Sequence, residues 1–344
     1  MDRRNLALTV GTTLLALLAG IAVAAYLTVP NPQLVTEGGG FVVFDPEIGM
    51  VPRPSGYTRR IDGPTENRPP LVYDIYTDDR GARVDGPGQR SPARVDLMTI
   101  GCSFTWGHPV NNPDTYAARL RREFGVSTAN FAMAAYGTTQ SLQMLKRNRD
   151  LAPKLVVYGF IDAHLDRNVI ACGPAYHPFC LDVSHVAWDD KTGKPRIEPP
   201  FSNGVRRFQQ HLDRDYFNPL IWLTHGIDVI FGRIERAWYY SLIPGKTRRE
   251  EAMNFLLRDM ERTVAEMGSE FLVVYIPTGF APAPPELARV IGKSRLLDLT
   301  ESFLRHKAAG GPPLYVVDDF HPTPAAHVLI ADEIARYIRR ERLL

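Results

Sequence analysis

The chain has little of what usually marks a metal, nucleotide or nucleic-acid protein. It carries three cysteines in 344 residues, and Lys and Arg total 40 against 38 Asp and Glu, a formal net charge of +2. The basic residues are scattered rather than run together, so a nucleic-acid footprint is not expected. No Cys/His spacing fits a zinc site and no glycine-rich loop of the phosphate-binding kind occurs, so neither a metal nor a cofactor is expected. There is also no internal repeat. Hydrophobic residues make up 44% and charged residues 23%, an ordinary balance for a folded domain large enough to bury a full core.

The unusual composition is local. Asp2-Arg3-Arg4 precedes an apolar stretch from Leu6 to Val29 with no charged residue. Roughly 20 apolar residues suffice to cross a bilayer as a helix, and a basic pair before the stretch keeps the N-terminus inside. Residues 1–29 are therefore predicted to be a transmembrane signal anchor that places the remainder on the periplasmic or extracellular side. Ala22-Val23-Ala24 leaves a cleaved signal peptide as the alternative, although the apolar region exceeds the usual ~7–15 residues. Either way the domain is exported. In such a compartment Cys172 and Cys180, close together in A-C-G-P-A-Y-H-P-F-C, can clip a loop as a disulfide, and Cys102 is left over.

Residues 30–94 are rich in Pro, Gly and charge, and read as an extended arm wrapped onto a main domain rather than a second core. From Val95 strands and helices alternate. Val95–Ile100, Val126–Phe131, Leu155–Tyr158, Phe271–Ile276 and Leu314–Val317 read as strands. Helices are predicted from Asp114 as N-cap, over Thr139–Arg149, over about Arg248–Met267, and from Thr323 as N-cap with Pro324 first. That alternation predicts an α/β domain over 95–344 with a parallel sheet covered on both faces. An insertion at about 169–246 exceeds any simple crossover. Within it Leu223, Ile227, Ile230, Phe231, Ile234 and Trp238 lie at helical spacing, for a helix packed on the domain or lying on a membrane surface.

In parallel α/β sheets the ligand crevice lies at the carboxyl ends of the strands. Gly101-Cys102-Ser103-Phe104-Thr105-Trp106-Gly107 follows the first strand, where small residues permit a tight turn that exposes a hydroxyl. Asp318-Asp319-Phe320-His321-Pro322 follows the last strand. A hydroxyl becomes nucleophilic beside a base such as histidine, whose tautomer is fixed by an acceptor. An Asp two or three residues before His321 can supply that acceptor.

These segments, G-C-S-F-T-W-G, then N-F-A-M-A-A-Y-G-T-T-Q from Asn130, then D-D-F-H-P-T-P-A-A-H, resemble successive blocks of the SGNH (GDSL-like) hydrolase superfamily. Y-T-D-D-R-G-A-R-V, from Tyr76, resembles the arm of its membrane-tethered members. The resemblance implies a flavodoxin-like three-layer α/β/α fold with a central parallel sheet. It also implies metal-free serine esterase or O-acyltransferase chemistry, often on acylated carbohydrate. Carried over by position, Ser103 is the nucleophile, His321 the general base, and Asp319 or Asp318 the acid. The backbone N–H groups of Ser103 and Ala135 would face the oxyanion, with Ala135 standing where the family has glycine.

Two departures matter. Cys102 replaces the acidic residue of the first block, and the third block, Tyr158 to Asn168, lacks the usual oxyanion Asn. His164 or Asn168 would substitute or be structural; Arg167 is expected to hold the fold rather than clamp substrate. His177 and His185, near the predicted disulfide, would line a groove or be ordinary loop residues. The expected function is an exported serine esterase or O-acyltransferase on an acylated glycan or other ester of the envelope. The alternative is a catalytically degenerate binding or assembly subunit of a membrane complex, with the membrane and that complex as partners.

Overall fold

A computed structural model describes residues 2–28, 35–37, 41–173, 181–201, 231, 234, 237–238, 240–291 and 295–344. Its centre is a nine-stranded mixed sheet. In chain order the strands are β1 (Val35–Glu37), β2 (Tyr57–Asp62), β3 (Leu71–Thr77), β4 (Arg83–Val84), β5 (Leu97–Gly101), β6 (Thr128–Asn130), β7 (Leu155–Phe160), β8 (Glu270–Tyr275) and β9 (Leu296–Asp298). They lie side by side as β1-β2-β3-β4-β6-β5-β7-β8-β9. The helices are α1 (Arg3–Thr28), α2 (Ser103–Trp106), α3 (Tyr116–Phe124), α4 (Thr138–Arg147), α5 (His164–Arg167), α6 (Lys246–Glu266), α7 (Pro285–Ile291), α8 (Thr300–Ala308) and α9 (Pro324–Glu341).

Side chains alternate across a strand, and the buried strands use both faces. Met98, Ile100, Val156, Tyr158, Val273 and Tyr275 pack with α4 and α6 through Leu142, Leu145, Met253, Leu257 and Met260. Leu97, Leu155, Val157, Leu272 and Val274 pack on the other face with Leu120 of α3, Phe303 of α8 and the Ile330, Ile334, Ile338 stripe of α9. The result is an α/β/α sandwich, as the resemblance implies.

Several expectations need correction. The sheet is not purely parallel. β5 through β9 pair in parallel, whereas β1 through β4 are antiparallel, and β4 joins β6 antiparallel. The segment before Val95 therefore supplies strands to the sheet, because hairpin-connected strands need no crossover helix. Leu314–Val317 is not a strand of this sheet: only Tyr315 bridges, to Pro322. Pro312 and Pro313 lack donors, and left-handed backbone at Asp318 (φ 62°) and Phe320 (φ 65°) folds the chain back. The last sheet position goes to β9, a three-residue strand too short to give a pattern. The N-cap of α3 is Thr115, not Asp114; its hydroxyl accepts from the Ala118 N–H at 3.2 Å. Thr323 caps α9 in the same way.

The membrane anchor is also corrected, and with it the membrane-tethered assignment, the membrane-anchored location and the membrane as a partner through that helix. Among the described residues, no helix is long and apolar enough to cross a membrane. α1 forms over Arg3–Thr28. Within it Thr9, Thr12 and Thr13 bring hydroxyls into the apolar stretch and donate to the carbonyls of Asn5, Leu8 and Thr9. Of the predicted disulfide, Cys180 lies outside the described residues; Cys172 is buried and is not a free thiol. His177 and most of the predicted 223–238 helix also lie outside them.

Close approach at the sheet's carboxyl edge positions α2. Gly101 of β5 is paired with Gly159 of β7. A Cβ on Gly159 would lie 2.1 Å from Thr105 Oγ1 and 3.2 Å from the Tyr116 hydroxyl. Thr105 cannot yield freely, since Tyr116 donates to it at 3.0 Å. Gly159→Ala is therefore expected to destabilise the fold by about 1–3 kcal/mol, a fall of roughly 1–4 °C in Tm for a chain of this length, measurable by calorimetry. An unchanged Tm would show that α2 does not rest on the sheet as described.

Candidate active site

Ser103 is the first residue of α2, immediately beyond β5, with Cys102 in the N-cap position. The first N–H groups of a helix have no acceptor within it, so the Ser103 N–H is available to a developing anion. Its hydroxyl donates to His321 Nε2 at 2.8 Å, and His321 Nδ1 donates to Asp319 Oδ1 at 2.6 Å. The His321 backbone N–H reaches the same oxygen at 3.3 Å. Ser103 and His321 are buried, 218 residues apart in sequence. The turn carrying His321 is pinned by Val316 N–H to His321 O and Phe320 N–H to Val316 O, both 2.9 Å. Non-glycine residues in left-handed backbone on both sides of Asp319 mark this turn as strained, as functional turns often are. Phe320 is left 76% exposed beside the site.

The two aspartates separate. Asp319 faces His321, whereas the exposed Asp318 accepts from Thr65 Oγ1 at 2.7 Å and Asn67 Nδ2 at 3.1 Å. Those bonds hold the Asp318 carboxyl below its ordinary range. Asp318 thus ties the turn to the loop between β2 and β3. For Asp319, burial alone would raise the pKa; hydrogen bonds from His108 and His321 outweigh it and hold the carboxyl far below the ordinary range. It is an acceptor-only carboxylate.

His108 was not singled out in the sequence, although it follows Ser103 by five residues. Its Nε2 lies 3.3 Å from Asp319 Oδ2 and 3.6 Å from Asp62 Oδ2, and its Nδ1 bonds the Tyr73 hydroxyl. An ionised Asp319 can only accept, so His108 Nε2 carries the proton and Nδ1 accepts from Tyr73. Asp62 accepts from Arg60 Nε at 2.9 Å. No short-range pattern points from β2 or β3 to this site, so Arg60, Asp62 and Tyr73 were invisible in the sequence.

The remaining expected residues lie elsewhere or are committed. Ala135 has φ 67°, the left-handed backbone that glycine adopts most readily. His164 is fully buried, 2.7 Å from the Tyr158 hydroxyl through Nδ1 and stacked on that ring. Asn168 accepts from Thr138 N–H at 2.7 Å and donates to Thr138 Oγ1 at 3.1 Å, capping α4. Arg167 donates to the Tyr136 carbonyl at 3.0 Å. His185 is buried against Phe201 in a separate hairpin. None of these four is shown in contact with Ser103 or His321.

Among the described residues, His108, Asp319 and His321 form the one group whose ligand atoms, all within 4.8 Å of one another, could gather round a metal ion. The donor set fits protons better. Each Asp319 oxygen already takes an imidazole N–H, and His321 Nε2 is committed to Ser103. A metal would have to displace those protons.

Three buried histidines make stability acid-sensitive. Burial pushes His108 down to about 4 and His327 to about 3, and pushes His164 well below its ordinary value, each with help from nearby cations. Below the unfolded value of ~6.5, the unfolded chain takes up protons that the folded chain does not. Stability therefore falls as pH drops from about 6.5 towards 4, by up to roughly 4 kcal/mol per pH unit if all three contribute. The depressed Asp319 adds stability that is present above about pH 4 and lost below it. The urea-unfolding midpoint should decline steadily from pH 7 to 4.5, and a flat midpoint contradicts the neutral burial of these rings.

No family model matches the chain, and no curated protein matches it. Among solved structures it is similar to a crystal structure of TesA, at 12% identity over 72% of this chain and 99% of that one, with a TM-score of 0.34. It is also similar to an acetyl xylan esterase from the rumen bacterium Butyrivibrio proteoclasticus, at 12% identity over 74% and 66% of the two chains, TM-score 0.34. A family two carbohydrate esterase from Clostridium thermocellum gives 12% identity over 90% and 100%, TM-score 0.34. Likenesses this distant carry no functional argument, so the function rests on the geometry of the site.

Proposed function

We propose that the protein is a serine esterase or O-acyltransferase. The observation that carries the reading is the hydrogen-bonded chain Ser103 Oγ, His321 Nε2, His321 Nδ1, Asp319 Oδ1, at 2.8 and 2.6 Å. His321 takes the Ser103 proton as Oγ attacks an ester carbonyl, then returns it to the departing alcohol, leaving an acyl-enzyme. Water completes hydrolysis; a second hydroxyl completes transfer. Asp319 keeps the proton of His321 on Nδ1 and stabilises the imidazolium. The backbone N–H groups of Ser103 and Ala135 are assigned to the oxyanion.

With His164 and Asn168 committed to the core, the third block supplies no side-chain donor from either. One such donor is typically worth about 10²–10³ in rate, so acylation is expected to be slow. Esters of carbohydrate hydroxyls are the substrate class implied by the sequence resemblance. The test is exposure of the wild-type chain to a fluorophosphonate probe and to p-nitrophenyl acetate. Stoichiometric labelling at Ser103 with turnover is expected; a wild type that is neither labelled nor active defeats the reading.

A further inference from the structure

We propose that His108 is a positioning residue for this chemistry: its imidazole holds Asp319 Oδ2 so that Oδ1 stays on His321, and Tyr73, Asp62 and Arg60 set His108 in turn. The inference rests on Ser103 being the nucleophile.

A carboxylate held at one oxygen can still rotate about its last torsion. Asp319 is held at both, by His321 Nδ1 at 2.6 Å and His108 Nε2 at 3.3 Å. The two imidazoles stand edge to face, with ring centroids 4.4 Å apart. His108 is itself over-determined. The Tyr73 hydroxyl takes Nδ1, and Asp62 lies 3.6 Å from Nε2. The loop of His108 is fastened by buried Arg83, which donates to the carbonyls of Trp106, Gly107 and Val110.

The charges point the same way. The groups facing His108 are Tyr73, Asp62, Arg60, Asp319 and His321. Arg60 and Asp62 neutralise one another at 2.9 Å, so the charge of Asp319 is left for the imidazolium that forms on His321. A charged ring at 108 would compete for that carboxylate and repel the imidazolium. Neutral His108 positions without competing. The strands that precede the parallel half of the sheet thus belong to the catalytic apparatus through Asp319.

The test compares His108→Leu, His108→Gln and Tyr73→Phe in the full chain. Readouts are fluorophosphonate labelling rate, kcat and KM for p-nitrophenyl acetate, and the far-downfield proton resonance of His321 Nδ1. His108→Leu is expected to lower kcat and labelling about 10²-fold, as misplacement of a catalytic group does, with KM little changed and the resonance lost. Gln, whose amide N–H can reach Asp319, should restore most of the rate and the resonance. Tyr73→Phe should cost about fivefold, the worth of one hydrogen bond, and it remains informative if His108→Leu does not fold. Wild-type rates in His108→Leu, or equal losses in Leu and Gln, overturn the inference. Failure of the ester reading would appear separately, as no Ser103 labelling of the wild type. The His321 resonance would then still decide whether His108 orders the pair.

Discussion

Ser103→Ala is expected to abolish fluorophosphonate labelling and to lower ester turnover by about 10⁶, the loss typical when the nucleophile of such a triad is removed. A residual rate of about 10³–10⁴ over water should survive, because backbone donors and substrate binding persist. The substitution removes one oxygen from a buried side chain whose hydrogen bond runs to His321 Nε2 at 2.8 Å, so the Tm should change little. That contrast of intact folding with lost chemistry separates a nucleophile from a structural hydroxyl. If Ser103→Ala turns over p-nitrophenyl acetate at the wild-type rate, the hydrolysis belongs elsewhere on the protein.

The second large effect is expected to divide two neighbouring aspartates. Asp319→Asn should lower kcat by about 10⁴, the loss seen when a triad carboxylate becomes an amide that favours the wrong histidine tautomer. The amide also removes the charge that stabilises the imidazolium. Asp318→Asn should leave kcat within about threefold, since exposed substitutions are typically worth ~0.5 kcal/mol and Asn tolerates left-handed backbone well. Its bonds run to Thr65 and Asn67, away from His321. Parallel kinetics of the two variants decide the point. A large loss at Asp318 with little at Asp319 would reverse the assignment and place the acid three residues before the histidine.

The parts legible in the sequence were those with strong local chemistry. β5, β7 and β8 read out because they are runs of apolar residues buried on both faces, and α9 because Thr323-Pro324 and the Ile330, Ile334, Ile338 stripe carry cap and period together. Ser103 and His321 were legible because each follows an apolar run in a segment built for a turn. Other features misled. Leu314–Val317 has the composition of a strand, but its backbone is turned by Asp318 and Phe320, whose left-handed conformation no propensity foretells. Asp114 looked like a helix cap, but Thr115, one residue later, has the extended backbone from which a hydroxyl reaches Ala118 N–H.

The sequence alone determined the α/β class and the strand before Ser103, because these depend on hydrophobic period, and it offered a hydroxyl with a base, because that depends on residue type. It left both Asp318 and Asp319 open, because residues adjacent in a chain differ only in where the backbone turns them. The strained turn at 318–320 points Asp319 towards His321 and Asp318 towards Thr65 and Asn67. The tertiary structure turned His164 and Asn168 into the core. It also brought His108, Tyr73, Asp62 and Arg60 together behind Asp319, a network whose members are drawn from β2, β3 and the loop after α2. Partners separated by tens to hundreds of residues leave no periodicity or spacing to read. Only closure of the mixed sheet creates the buried, low-dielectric setting in which their hydrogen bonds and charges matter.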